Sequence, residues 1–206
     1  SLAGGLLAAS LAAGLGLLLG GIAGAGNPLT DAAISRAAEI SLAMPWLYLL
    51  LALRAALPLS LAPVQVLFGL AAIIGLAGWA RPAMQVRAVV LGGRTRAYVE
   101  AARGAGASEW FVLRRHLLPQ ALLVVCTQAA TLAPQFTLAE MTLSFFGLGV
   151  NEPLASWGTL LADVSRDHLL EPSWYALSPL LAVILVFIVY QRAADAVIER
   201  LSEVTA

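Results

Sequence analysis

Few residues in this 206-residue chain could carry out chemistry, and they stand apart from one another. His116 and His168 are each isolated, so neither belongs to a set with metal-ligand spacing, and both read as loop-surface or interfacial residues. Cys126 is the single cysteine and lies in an apolar run, which excludes an intramolecular disulfide and a thiolate metal site; it reads as an inert, buried thiol. No HExxH helix or Ser/His constellation is present, and Glu140 has no second carboxylate with which to share acid–base work. A glycine-rich phosphate loop would need a Lys before its Ser or Thr. All twelve basic residues here are Arg, a bias read as base composition of the source genome, so no nucleotide is expected on this chain. The expectation is no catalytic residue, no metal and no directly bound cofactor.

The polar residues of interest instead interrupt or border apolar stretches: Arg54, Gln65, Thr127, Gln128, Thr131, Gln135 and Glu140. Such groups are costly in lipid and often line a pathway. Gln128, Thr131 and Gln135 recur at spacings of three and four, so they share one helix face. That face either lines a solute pathway or bonds one helix to the next.

The elements that would position these groups follow from composition. Apolar residues make up 60% of the chain and charged residues 12%, about half the charged fraction of a soluble domain. The formal net charge is zero, which gives no reason to expect nucleic acid. A bilayer core needs about 20 apolar residues as a helix, and uncharged or nearly uncharged stretches predict five spans, at 1–26, 40–57, 61–80, 117–139 and 174–191. The opening stretch is too long and glycine-rich for a signal peptide and lacks a basic leader, so an upstream piece is expected to be missing. Five spans alternate the loops between two sides. Ten arginines fall on one side, and only Arg54 and Arg166 on the other. The arginine-rich side, with the loop 96–119 and the C-terminus, is therefore expected to be cytoplasmic, and the loop 141–173 external. Gly16, Gly20 and Gly24 recur every fourth residue in the first span, either a face for close helix approach or general glycine richness. Pro45, Pro58, Pro63 and Pro134 are positions where helices can end or kink.

The loop RAYVEAARGAGASEWFVLRRHLLPQ, Arg96 to Gln120, is the most informative segment. Its start predicts a helix with Tyr98, Ala101, Ala102 and Ala105 on one side, small enough for a backbone to lie deep in a groove. Gly104 and Gly106 end that helix, and Ser108 is the N-cap of the next, which passes Trp110 and Leu113 and enters the fourth span at Pro119. On the residues alone this is either a docking element or an ordinary charged loop.

The same segment resembles the EAA loop of binding-protein-dependent ABC permeases, with Glu100, Ala101, Ala102, Gly106, Leu118 and Pro119 in register. His116 departs from that pattern's hydrophobic position, yet Arg115-His116-Leu117-Leu118-Pro119 is similar to the ending found in the dipeptide and oligopeptide branch. A second segment resembles that branch's other signature through Ser144, Phe145, Gly147, Leu148, Gly149, Val150, Ser156, Trp157 and Gly158, with Ala155 where the branch usually has Pro. The likeness covers nearly the whole chain. It implies an all-α, polytopic membrane protein: a single permease domain over 1–206 with the five-helix core of a type I ABC importer, of the C-type subunit. It implies a cytoplasmic coupling helix on which separate ATPase subunits dock, through Tyr98, Glu100, Ala101, Ala102, Arg103, Gly106, Ala107, Leu118 and Pro119. Those partners would consume the ATP. A second, non-identical permease subunit and an external solute-binding protein facing Gly147–Trp157 are further implied partners, with the bacterial inner membrane as location. Branch members usually carry one more N-terminal span. The implied solutes are di- or oligopeptides, with nickel chelates or other small solutes as the alternative. Two rivals stay in view. An intramembrane enzyme lacks a constellation to work with, and a passive channel would need neither the loop nor ATP.

Overall fold

The computed structural model describes residues 1–58, 61–150, 153–154, 156–167 and 178–205. Among them there is no strand. The helices are α1 (Leu2–Ala25), α2 (Pro28–Ala43), α3 (Trp46–Ala55), α4 (Pro63–Ala77), α5 (Ala80–Gly93), α6 (Ala97–Gly104), α7 (Glu109–Val112), α8 (Leu118–Phe145), α9 (Trp157–Asp167) and α10 (Ser178–Thr205), with a π-helical turn at Leu113–Leu117. Three helices are long and apolar enough to cross a membrane, and five spans result if each bent pair, α2–α3 and α4–α5, counts as one.

α1 is the central post of the bundle, packed by α5, α8 and α4. Its composition explains why. Gly16, Gly20 and Gly24 form one stripe, and a methyl group on them would lie 2.4 Å from Pro82 Cβ, 2.3 Å from the Ala83 carbonyl oxygen and 2.7 Å from Val90 Cβ. Missing side chains thus bring α5 nearly backbone to backbone, which is how helices associate in lipid, where apolar burial gives no drive. Of the two readings of this stripe, close approach is the one realised. The core divides along the length of the bundle. Ala8, Ala12, Leu70, Ile74, Phe136 and Leu143 belong to one buried cluster, while Val86, Val90, Val99, Val112, Leu117 and Ala121 belong to the other.

Predicted and observed spans differ in instructive ways. The stretch 40–57 is not one helix: α2 and α3 meet at a 96° bend around Met44 and Pro45. Pro45 forces Met44 into extended backbone (φ −74°, ψ 135°), because its ring disfavours helical geometry in the preceding residue. The stretch 61–80 does not end at Arg81. After a 43° bend it continues as α5 to Gly93, carrying Arg81 and Arg87 on the helix. Arg87 is tolerated there because its guanidinium pairs with Asp31 of α2, Nη2 to Oδ2 at 2.7 Å. The fourth span extends well beyond 139: α7, the π turn and α8 form a continuous 37-residue helical segment, Glu109–Phe145. At 1.5 Å per residue this is about 55 Å, far more than a hydrocarbon core of about 30 Å. The expected external loop 141–173 therefore begins with the last turn of α8 and contains α9, and its residues 168–173, His168 included, lie outside the described residues. The fifth span starts in undescribed residues, and α10 continues past 191 to Thr205. Cys126 is exposed on the surface of α8, not buried as its apolar neighbours suggested.

Candidate functional site

α6 is short, and three devices hold it in place. Val99 is fully buried against Val112, Leu113 and Leu117, so one face of the helix is anchored. Tyr98 accepts a hydrogen bond at its hydroxyl from Gln120 Nε2 (2.9 Å), tying α6 to the start of α8. Arg103 grips Glu109 with two parallel bonds, Nε to Oε1 at 2.7 Å and Nη2 to Oε2 at 3.0 Å, and donates through Nη1 to the Arg94 carbonyl at 3.1 Å. Its hydrogen bonds to the Glu109 carboxylate hold the Arg103 guanidinium above its already high range. Arg94 in turn donates to the Gly24 carbonyl at the end of α1 (3.2 Å). An exposed ion pair alone contributes little, but this one closes a chain of contacts from α1 through α5 to α7.

The helix ends as its glycines predict. The Ala107 amide donates to the Ala102 carbonyl (3.0 Å) and the Gly106 amide to the Arg103 carbonyl (2.9 Å). Such a bond pair needs a residue in the left-handed region just past the helix, and Gly106 supplies it with φ +87°. No heavy atom lies within 4 Å of where its Cβ would be, so conformation alone selects glycine there. Ser108 then caps α7, its hydroxyl accepting from the Phe111 amide at 3.3 Å. The π turn that follows lies where the ring of Pro119 would meet the Arg115 carbonyl in a regular helix.

The expected docking residues divide between two faces. Tyr98, Glu100, Ala101, Gly106 and Pro119 are exposed. Ala102, Ala107 and Leu118 instead pack on the buried cluster beneath, so they support the surface and do not form it. The outward stripe of α6 is Ala97, Ala101, Gly104 and Ala105 with Glu100 beside it. Trp110 and Phe111, 65% and 51% exposed, adjoin it, and His116 lies between the rings of Tyr98 and Phe111 at 5.9 and 6.0 Å. No motif in the sequence marked these two aromatics as surface groups; Trp110 entered only as a residue of the helix after Ser108.

The second motif has a different character. At the end of α8 the Leu148 amide donates to the Leu143 carbonyl (2.9 Å) and the Gly147 amide to the Ser144 carbonyl (3.0 Å), with Gly147 at φ +75°. Unlike the first, this turn has buried polar side chains beside it. Ser144 and Ser156 both donate to Glu140 Oε1, at 2.7 and 3.2 Å, and all three are buried. Arg54, 5% exposed, donates to the Leu148 carbonyl at 2.5 Å. Glu140 and Arg54 thus work as internal ties, not as lining. Gln65 caps α4 by accepting from the Ala62 amide (3.0 Å), and Thr127 donates to its own helix at Leu123. Of the expected polar face on α8, Gln128 and Thr131 are half-exposed and Gln135 is exposed.

Residues 16–203 match the family described as the binding-protein-dependent transport system inner membrane component. A probable D,D-dipeptide transport system permease protein of Escherichia coli is 33% identical over 197 residues, 96% of this chain and 64% of the relative's own length. The oligopeptide transport system permease protein of Salmonella typhimurium is 40% identical over 106 residues, covering 52% of this chain and 35% of that protein. Its counterpart in Bacillus subtilis is 33% identical over 159 residues, 77% of this chain and 50% of that protein. The chain spans less than two thirds of the length of these relatives. It belongs to the family of binding-protein-dependent transport system inner membrane components, multi-pass helical permeases.

Proposed function

We propose that this chain is the C-type permease subunit of an ATP-driven importer of di- or oligopeptides. It works with ATPase subunits that dock on α6, a second, non-identical permease subunit and an external solute-binding protein. Residues 1–206 act as one permease domain of five spans, with the loop 96–119 and the C-terminus in the cytoplasm and the loop 141–173 outside. The names of the relatives, which concern dipeptides and oligopeptides, support the solute class.

The observation that carries the reading is the fixed, outward stripe of α6. Ala97, Ala101, Gly104 and Ala105 present backbone and methyl groups only, so a groove on an ATPase can close over them at short range. Tyr98, Glu100, Arg103, Gly106 and the exposed Pro119 orient the contact, while Ala102, Ala107 and Leu118 set the seat behind it. Because Val99, Gln120, Glu109 and Arg94 hold α6 to the bundle, movement of the ATPase is passed to α1, α5 and α8 as rigid-body rocking. Gln128, Thr131 and Gln135 line the route that this rocking opens alternately to each side.

The test is Gly106→Leu in the assembled transporter. A left-handed residue with a side chain costs about 1–2 kcal/mol, enough to displace the end of α6 without unfolding the bundle. Membrane insertion should remain normal while ATP-coupled uptake falls by about tenfold or more and ATPase co-purification weakens accordingly. Normal uptake with normal co-purification would remove the docking assignment.

A further inference from the structure

We propose that Arg81, with Ser41 and Gln135, forms a mid-membrane subsite for the carboxylate of the transported solute, which rests on the reading of the chain as a peptide importer.

The bends of both broken spans lie at one level, and a recess of about 170 Å³ opens there. Ser41, Trp46, Gly78, Arg81, Gln135 and Phe136 are among its walls. Trp46 and Phe136 stack at 5.7 Å with their planes 15° apart, making a flat apolar side. Gly78 leaves the space that ring occupies, since a Cβ there would lie 2.3 Å from Phe136 Cζ. At roughly 30 Å³ per water, the recess has room for about five waters. A carboxylate and its nearest atoms fit; a whole peptide does not.

The depth of Arg81 makes its charge informative. Its neighbours Pro82 and Ala83 pack on Gly16 of α1. Gly16 is about 14 Å along the helix axis from Ala25 and about 21 Å from Leu2, so Arg81 lies between the two ends of a helix long and apolar enough to cross a membrane. From Arg81 to Gly93 is about 18 Å along α5, farther than an arginine side chain reaches. A cation at that depth must face water or a partner group and not lipid. Arg81 is exposed and has no hydrogen bond or ion pair among the described residues, unlike Arg54, Arg87, Arg94 and Arg103. Beside it Gln135 offers a further donor and Ser41 a hydroxyl that otherwise donates to the Ala77 carbonyl at 3.5 Å, and from Gln135 the half-exposed Thr131 and Gln128 continue along α8. A planar guanidinium with neighbouring neutral donors is matched chemically by a carboxylate.

Two sources could supply that carboxylate: the solute's C-terminus and an acidic side chain of the second permease subunit. The polar row leading away from Arg81 favours a ligand that moves. The test uses the complete transporter, with ATPase, second permease and binding protein, and compares uptake of a short peptide with uptake of its C-terminal amide. Any preference of the binding protein cancels when the free-to-amide ratio of R81M is divided by that of the wild type. That quotient should fall about tenfold, as expected for a lost charge-assisted bond, with R81K intermediate and assembly unchanged. A quotient near one, with uptake of both solutes reduced equally, would overturn the proposal and assign Arg81 to the partner subunit. Wild type that carries no peptide of either form would instead overturn the importer reading beneath it. Where the wild type carries only the free peptide, R81C in a Cys126→Ala background gives the answer. A thiol reagent bearing an ammonium should restore uptake several-fold, as a point charge can, while a neutral reagent of equal length should not; equal responses would overturn the proposal.

Discussion

The two glycine turns of this permease share one backbone design and serve opposite ends. After α6, Gly106 takes φ +87° and after α8, Gly147 takes φ +75°, each followed by the same pair of returning amide bonds. A Cβ on either turn glycine would meet open space, but the helix before Gly106 turns alanine and glycine outward. Around the second turn the neighbouring glycines are enclosed: a Cβ on Gly149 would lie 1.9 Å from Ser144 Oγ, and one on Gly158 would lie 2.1 Å from the Met141 carbonyl oxygen. The first turn borders an open surface, the one proposed to receive the ATPase. The second is a lock within the chain, with Glu140 and Arg54 as its ties. The same glycine-rich look in sequence therefore carries two meanings, and only the surroundings distinguish them.

The contrast is broken most severely at the lock. Gly158→Leu should abolish folded protein, because a side chain there meets backbone that cannot yield; size-exclusion chromatography in detergent should show no monodisperse species. Gly106→Leu should leave that chromatogram unchanged and lower uptake by about tenfold or more, the scale of its backbone strain. At the third position, Glu140→Ala leaves the Ser144 and Ser156 hydroxyls without their acceptor, a loss of about 1–3 kcal/mol. Thermal unfolding in detergent should fall by about 5 °C while ATPase co-purification is unaffected, and Glu140→Gln, which keeps an acceptor oxygen, should lie close to wild type. The smallest effect is expected from Arg103→Lys, which keeps the charge and loses the parallel bonds to Glu109. Uptake should fall only about two- to threefold, consistent with the modest worth of exposed pairs.

Much of this was legible from residues alone. The helix from Ala97, its end at Gly106 and the Ser108 cap follow from local chemistry, which one sequence displays in full. The glycine stripe of α1 was visible too, but its partner was not, since nothing in Gly16, Gly20 and Gly24 names Pro82, Ala83 or Val90. Charge misled at Arg81 and Arg87. A break placed at the first arginine left out the helix α5 that follows the bend, because the ion pair that admits Arg87 joins residues 56 apart and the recess that admits Arg81 is built from five helices. The expected docking residues were chosen by register, yet register does not separate Ala101, which faces out, from Ala102, which packs inward. For the same reason Arg54 and Glu140 looked like pathway groups until their partners, Leu148, Ser144 and Ser156, were in place.

The account stands most directly on whether α6 is covered by the ATPase. The measurement is labelling of Ala101→Cys, in a Cys126→Ala background, by a membrane-impermeant maleimide in inside-out vesicles. The prediction is rapid labelling of the permease alone and about tenfold slower labelling once the ATPase subunits are bound, as expected for a site enclosed in an interface core. Equal labelling with and without the ATPase, or labelling only from the opposite side of the membrane, would contradict it.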